Sequence, residues 1–572
     1  MFYTDAITFF QSVHGLFQKG YLCDYTIVAE GQSFKTHRTI LASVSDYFRV
    51  MLTGQMIEAK QDHVELKGVS ANAMTELLSF AYTGRLSLSM DDVVDTLSGA
   101  SHLQMQGALE LCSEFLRTEV SRKTCVDILN MAEMYSLSKV ISIGLDYVIN
   151  HFEKVIESDQ FYKLHRDHLI VILRSNRICI SSELQLFHLV RRWVEFDSQE
   201  RLKFVYPLLE HVRFALMTPE ELVDQVANSN LVAADDRCRV LLDEAFQYHV
   251  LPTRHPQLQT PRTQIRNKPC MIALGGRYGI NIGDKYNSNK MFALAKSKWH
   301  LVSKSDINFL YAAVCVLDNF LYVCGGMGKP IHARASCYRY DPRTSTWTQL
   351  SHMKTRRQSF PLIAFGKKLY AFGGGTPVDS TIRHPPTVAS EVYSVDKNQW
   401  SSIAPLPEKR KSTAACVLNE KIFVSGGRTD DETVSTLWCY DPCNDAWQNK
   451  QCMIVPHAGH AMSAINHKLY VTDRMDLAVE CYCPTLDEWT KIVGPTPSVH
   501  SGIARPAVMG PWVYFISCYT ADGDQKCKRF NVVTLQTEEL ADFPESVHCV
   551  AGIPLTLSQA LFSDANNNDG QN

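Results

Sequence analysis

Between residues 270 and 520 one phrase recurs, an apolar run ending on two small residues and a lone tryptophan about twenty residues further on. It reads Ile272-Ala273-Leu274-Gly275-Gly276 with Trp299, Tyr322-Val323-Cys324-Gly325-Gly326 with Trp347, Tyr370-Ala371-Phe372-Gly373-Gly374 with Trp400, and Phe423-Val424-Ser425-Gly426-Gly427 with Trp447. A unit close to fifty residues long with this pattern cannot bury both of its faces alone, so its copies must pack on one another. The glycines suit a strand that ends and turns where backbones crowd, because a residue without Cβ accepts positive φ and close approach. The tryptophans supply wide apolar faces for the space where neighbouring sheets diverge.

Two further units keep the register after the double glycine is gone: Lys468 to Asp473 followed by Trp489, and Pro511 to Cys518 with no matching tryptophan. The period predicts an all-β six-bladed propeller over 269–558, with irregular fifth and sixth blades where Thr472-Asp473 and Ser517-Cys518 replace the glycines. Each unit except the first is preceded by a small-residue strand, for example Tyr311 to Leu317 and Thr413 to Leu418, whereas Val547 to Leu557 looks like such a strand with nothing after it. The C-terminal strand is therefore expected to become the innermost strand of the first blade and to close the ring, leaving no edge unpaired. Residues 559–572 are polar and are expected to be a disordered tail. The Thr376 to Pro386 insertion lengthens a loop of the third blade and is a candidate rim.

At 572 residues the chain exceeds one core, and 45% hydrophobic with 20% charged residues is ordinary for globular domains. No apolar stretch approaches a membrane span and the N-terminus lacks a signal-peptide pattern, so the expectation is a cytoplasmic protein, its nuclear share left open. The eighteen cysteines are scattered through strands and helices and read as reduced core thiols. No C-x-x-C and no Cys/His quartet with zinc spacing occurs, so neither a metal nor another cofactor is expected. The net charge of −3 is unevenly shared. Residues 1–266 carry about seven excess acids and the repeats about six excess bases, so the two halves should take different partners.

In the N-terminal half, residues 24–30 and 32–36 read as two strands around Gly31, followed by helices over 39–52, 72–82, 90–103 and 107–117. Leu22-Cys23-Asp24-Tyr25, Phe34-Lys35-Thr36-His37-Arg38, Ser45-Asp46-Tyr47-Phe48, Val64-Glu65-Leu66-Lys67 and Ala81-Tyr82-Thr83-Gly84 together resemble an α/β BTB/POZ domain of the Kelch-like family, spanning 1–120. That resemblance implies a homodimer with Asp24 and His37 near its interface; a strand-end hydrogen bond is the competing reading of the same pair. From 121 to 250 the apolar period is helical throughout, and Ser182 to Arg201 with Leu208 to Met217 resemble the all-α BACK domain. A Pro-rich linker over 251–268 precedes the Kelch repeats.

The three modules in this order resemble the Kelch-like substrate adaptors of cullin-3 RING ubiquitin ligases. The resemblance implies no catalytic residue in this chain, cullin-3 held by the BTB and first BACK helices, and a protein client held by the propeller. Met56 and Glu58 match the family's hydrophobic-x-Glu contact with the cullin, an apolar anchor and an acidic partner. Tyr47, Phe48 and Tyr135 are further candidates there, Phe48 reading better as core. On the propeller, Arg277, Arg356, Arg357, Arg410, Arg428 and Arg474 are expected on one face, with Tyr311, Ser359 and Ser412 ringing the channel mouth beside them. Arginine forks match carboxylates or phosphates, so an acidic or phosphorylated client segment is expected.

Two other classes compete. An actin-binding scaffold without a ligase role would use the same dimeric architecture, and it has no use for Met56-x-Glu58. A propeller-based copper oxidase needs a clustered Tyr/His set, and His457 and His460 lack partners in the sequence. Nucleic-acid binding is disfavoured because the basic loops lack interleaved aromatic residues.

Overall fold

A computed structural model describes residues 2–558 and Phe562, apart from 55, 279–287, 308, 329–331, 378–383, 473–477, 494–505, 520–524, 546 and 549. The chain divides into two compact units, one of residues 1–179 and 189–208, the other of residues 180–188 and 209–572.

The first unit opens with the helix Phe2–Gln18. Tyr25–Ala29 then forms the middle of a three-stranded sheet, antiparallel to Gln32–Thr36 and parallel to His63–Leu66. The apolar period predicts one helix over 39–52, but there are two, Arg38–Val44 and Asp46–Thr53. Ser45 separates them: its backbone is extended, its hydroxyl donates to the Leu103 carbonyl at 2.5 Å, and it accepts the Phe48 N–H at 3.1 Å. One side chain thus caps the second helix and holds its start against a distant loop. Ile27, Leu41, Phe48, Leu77 and Ala100 lie in the core of this region, each large side chain contributing roughly 1.5–3 kcal/mol by leaving water. Helices Cys125–Met134, Ser138–Asn150 and Arg166–Arg174 follow. Trp193 is buried, donating its indole N–H to the Leu164 carbonyl at 3.1 Å, with the Arg201 guanidinium 4.1 Å above its ring.

In the second unit, six four-stranded antiparallel sheets form among the described residues, and four-stranded sheets are what blades require. Their first strands are Ala551–Leu555, Ala313–Leu317, Leu362–Phe365, Ala414–Leu418, Ala461–Ile465 and Ala507–Met509. The C-terminal strand pairs with Cys270–Leu274, Ala551 opposite Leu274 and Leu555 opposite Cys270. At the glycine pairs the crowding is measurable. A Cβ on Gly325 would sit 2.5 Å from the Arg357 carbonyl oxygen, one on Gly326 would sit 2.6 Å from that of Leu310, and both residues have positive φ. In the sixth sheet, strand Trp512–Tyr519 runs through Ser517 and Cys518 with a register shift after Phe515, whereas Asp473 of the fifth lies outside the described residues.

The repeated tryptophans do more than fill a wedge. Trp400, Trp447 and Trp489 donate their indole N–H to the carbonyls of Ser351, Ala404 and Gln451, at 3.1, 3.0 and 2.7 Å. The N–H of each of those three residues is accepted in turn by Asn398, Asp445 or Asp487, and these side chains also accept the hydroxyls of Tyr393, Tyr440 and Tyr482. Each of these three sheets therefore grips one exit residue of the sheet before it by both backbone groups, whereas Trp347 of the second sheet donates to the Ser303 hydroxyl at 3.3 Å. Trp299 of the first sheet likewise donates to Ala541, just beyond the sixth, at 3.0 Å.

A turn carboxylate follows the repeated tyrosine in two sheets, where Asp341 and Asp441 accept the N–H groups of Arg343 and Cys443, both at 3.0 Å. In the fifth sheet Cys483 stands in that place, its thiol beside the Thr485 hydroxyl at 3.1 Å and held below the usual thiol range first by that bond and then by the Leu486 N–H. Cys483→Asp restores the better acceptor, and a thermal melt of the full chain is expected to show a small rise in midpoint.

Two connecting segments carry buried residues. Within the 251–268 linker His255, Thr263 and Arg266 are buried. Of the tail expected over 559–572, Phe562 is buried with its ring 5.4 Å from that of His300, and the other residues lie outside the described ones.

Candidate functional site

Two surfaces bear the candidate residues, one in each unit. In the first, Asp46–Thr53 ends at Gly54, and Met56 leads into a single 3-10 turn, Ile57–Ala59. Met56 is 48% exposed and Ile57 73%, while Glu58 is half-buried. The turn is fixed from beneath. Tyr25 donates its hydroxyl to the Glu58 carbonyl at 3.4 Å, and Arg38, stacked 4.5 Å over the Tyr25 ring, donates to the Ala59 carbonyl at 2.9 Å and also to that of Gln61. An apolar pair is thus presented to solvent on an anchored turn, a geometry that suits a partner's hydrophobic pocket. Ile57 was not singled out from the sequence, although its place inside Met56-x-Glu58 was the available signal.

Tyr47 lies at the other end of the same helix, half-buried, its ring edge-on to Phe48 at 5.4 Å. Phe48 is fully buried, as core. Tyr135 closes the helix Cys125–Met134 and packs on a different cluster, that of Val93, Leu97 and Ile128, with Met134 exposed beside it. Asp24 and His37 do not meet each other. The Asp24 carboxylate accepts the Arg38 N–H at 2.8 Å, while the His37 ring nitrogens lie 2.7 Å from the Tyr82 hydroxyl and 3.0 Å from the Tyr21 carbonyl. Burial pushes the Tyr82 phenol up to about 12.

On the second unit, Tyr311, Ser359 and Ser412 are equivalent residues in left-handed conformation, with φ of 53°, 52° and 57°, and Gly459 continues the series at 69°. They are chained by backbone bonds: Ser359 donates to Tyr311, Ser412 to Ser359 and Gly459 to Ser412. All four line a cavity of about 500 Å³, whose wall draws residues from the first strand of every sheet. The structure therefore brings these three candidates together at one mouth.

The arginines divide. Arg356 and Arg428 are exposed. Arg357 and Arg410 are not rim residues, being 0% and 2% exposed. Arg357 donates to the carbonyls of Gly373 and Ala389 and to the Glu391 carboxylate, and Arg410 lies 5.1 Å over the Trp438 ring and bonds Glu408. For Arg357 the physical reason is a buried acceptor two residues before the repeated tyrosine, Glu391 before Tyr393, which pulls the guanidinium inward; for Arg410 the Trp438 ring takes that place. His457 pairs the same way with Glu480, which precedes Tyr482, at 3.2 Å, and the His460 ring lies 2.7 Å from the Ser425 hydroxyl. Arg277 sits in a short strand, Arg277–Tyr278, opposite His548, and Arg474 lies outside the described residues.

Lys411 remains near the mouth, half-buried, its amine lowered by burial first and by Arg428 second, with Asp430 opposing, and donating to the His384 carbonyl at 3.0 Å. His384 belongs to the insertion, of which 378–383 lie outside the described residues. Asp430, Asp431 and Glu432, all exposed, follow Arg428 after Thr429, so this face carries both signs of charge and not the basic one expected. Among the described residues no group of three or more His, Cys, Asp or Glu is placed to hold a metal, and no helix is long and apolar enough to cross a membrane.

Comparison with known proteins fits this three-part architecture. Residues 13–120 match the BTB/POZ domain, 125–227 the "BTB And C-terminal Kelch" domain, and 263–472 the KLHDC2/KLHL20/DRC7 Kelch-repeats domain. The chain belongs to the BTB-BACK-Kelch family, the Kelch-like proteins. It is similar to Kelch-like protein 26 of Danio rerio, 33% identical over 97% of this chain and 94% of the relative, and to that of Homo sapiens, 33% identical over 97% and 92%. Kelch-like protein 15 of Homo sapiens is 27% identical over 85% of each chain.

Proposed function

We propose that the chain is a homodimeric substrate adaptor of a cullin-3 RING ubiquitin ligase, contributing proximity and orientation while recruited enzymes perform the transfer. The observation that carries this reading is the Met56-Ile57 pair, exposed on a turn braced by Tyr25 and Arg38 and followed by Glu58, within a chain of this module order. The six sheets are read as blades of a closed propeller. Support comes from their first strands, which adjoin one another in succession with Ala551–Leu555 between the sixth and second, and from the Trp299 bond to Ala541. The client is proposed to be an acidic or phosphorylated segment, met by Arg356, Arg428 and Lys411 beside the hydroxyls of Tyr311, Ser359 and Ser412. The acids 430–432 steer such a segment away from the Arg428 side, toward Arg356.

The test is calorimetric binding of the full-length protein to a cullin-3 N-terminal fragment, with wild type compared against Met56→Ala/Glu58→Ala. The wild type is expected to bind, and the double variant to bind about tenfold more weakly or worse. A folded, dimeric wild type that does not bind would overturn the reading and leave the scaffold.

A further inference from the structure

The segment that leaves the helix Asp236–Val250 is tied to the strand Cys337–Asp341 by a buried polar cluster, and His255 stands at its centre. His255 is 2% exposed and Asp341 1%. The ring Nδ1 lies 2.8 Å from Asp341 Oδ2, and Nε2 lies 2.8 Å from the Tyr248 carbonyl oxygen. A carboxylate and a carbonyl only accept hydrogen bonds, so each ring nitrogen must present an N–H. An imidazole with two N–H groups is the cation. The Tyr248 ring stacks on His255 with centroids 4.1 Å apart and planes within 3°, which offers an aromatic face to that charge.

The other charged groups around the site are already committed. Arg343 approaches the far oxygen of Asp341 at 3.2 Å but directs its remaining donors to the Thr263 and Asp318 carbonyls and the Gln259 side chain. Arg339 donates to the Pro252 carbonyl at 2.9 Å, and its guanidinium lies 5.0 Å over the Phe320 ring. His249, on the helix, is held toward its neutral form by burial first, and His255 adds to that push. Tyr248 is pushed up to about 12 by burial, with Asp341 adding to it, so it stays a neutral phenol. Gln259 donates to the His255 carbonyl at 2.7 Å, which fixes the segment on its other side.

We propose that His255 is a protonated latch, an imidazolium clasped between Asp341 and the Tyr248 carbonyl that joins the end of the helical region to the second sheet only while it carries its proton. Loss of the proton leaves one of two buried acceptors facing a lone pair and Asp341 with Arg343 as its one remaining cation among the described residues, so the join loosens as pH rises. His255 thereby makes the rigidity of this connection pH-dependent.

The test is thermal unfolding of full-length wild type and His255→Gln between about pH 6 and pH 9, the range that spans imidazole titration. Glutamine keeps a donor and an acceptor but has no charge. The wild type is expected to melt several degrees above the variant at the acidic end, with the gap closing toward the alkaline end. A gap that stays constant with pH would overturn the proposal, since a neutral ring bonded for structure alone gives that result. Wild-type protein carrying 13C at histidine Cε1 provides a second readout that needs no stable variant at this position. One resonance is expected to keep the cationic shift at about pH 7.5, above the ordinary imidazole range, and to lose it in Asp341→Asn. Uniformly neutral histidine signals at that pH would equally overturn the latch.

Discussion

Arg357→Ala is expected to lower the stability of the full-length protein by about 3–5 kcal/mol, the cost of stripping one partner from a fully buried ion pair. Glu391, 2% exposed, accepts from Arg357 and also from the N–H groups of Lys354 at 2.7 Å and Thr355 at 3.0 Å. Without the guanidinium that carboxylate stays buried, and the Gly373 and Ala389 carbonyls lose a shared donor. Arg410 occupies the equivalent place one repeat later, where Trp438 stands instead of the acid and the ion-pair partner Glu408 is 61% exposed. Arg410→Ala should therefore cost less, about 1–2 kcal/mol. Urea denaturation of both variants checks the order. An Arg357→Ala protein within about 1 kcal/mol of wild type would mean that water or a rearranged Lys354 replaces the lost cation.

That contrast marks where the sequence stops being readable. The glycine pairs and tryptophans announce the sheets because each acts locally, through a positive φ or a wide ring next to its own strand. Tyr311, Ser359 and Ser412 were legible as a series for the same reason, the register of each repeat, but their left-handed backbone was not. The inward turn of Arg357 depends on Glu391, 34 residues away in the chain, and neither residue alone says that its charge is buried. A run of basic residues such as Arg356-Arg357 therefore looks like one exposed patch while its members point to opposite environments. Ser45 is a similar case. It breaks a helix that periodicity alone makes continuous, because its hydroxyl finds Leu103, 58 residues on. The Met56 turn was legible by motif, but the bracing by Tyr25 and Arg38 that makes it a fixed surface comes from strand and helix packing.

Burial decides a second case in which charge is unequal. Glu183, 5% exposed, lies between two buried arginines: its Oε1 accepts from Arg266 Nε at 2.6 Å and its Oε2 accepts the backbone N–H of Arg213 at 3.0 Å. Both guanidinium groups also donate to carbonyls, Arg213 to Gln264 and Arg266 to His211, so the carboxylate binds a segment near residue 183 to the approach of the repeats. Burial presses the Arg213 guanidinium down to about 10, with Arg266 adding to the push and Glu183 opposing it. Removing this acid takes away the carboxylate that pairs with Arg266 and that opposes the push on Arg213. Glu183→Ala is expected to cost about 3–5 kcal/mol, and Glu183→Gln, which keeps an acceptor but no charge, to recover only part of it. Arg266→Met in the Glu183→Ala background should recover stability, because it removes the charge that lost its partner along with its desolvation cost. Equilibrium unfolding of the three proteins measures this coupling. If the double variant is less stable than Glu183→Ala alone, the arginine is held chiefly by its carbonyl contacts, and the charge argument fails at this site.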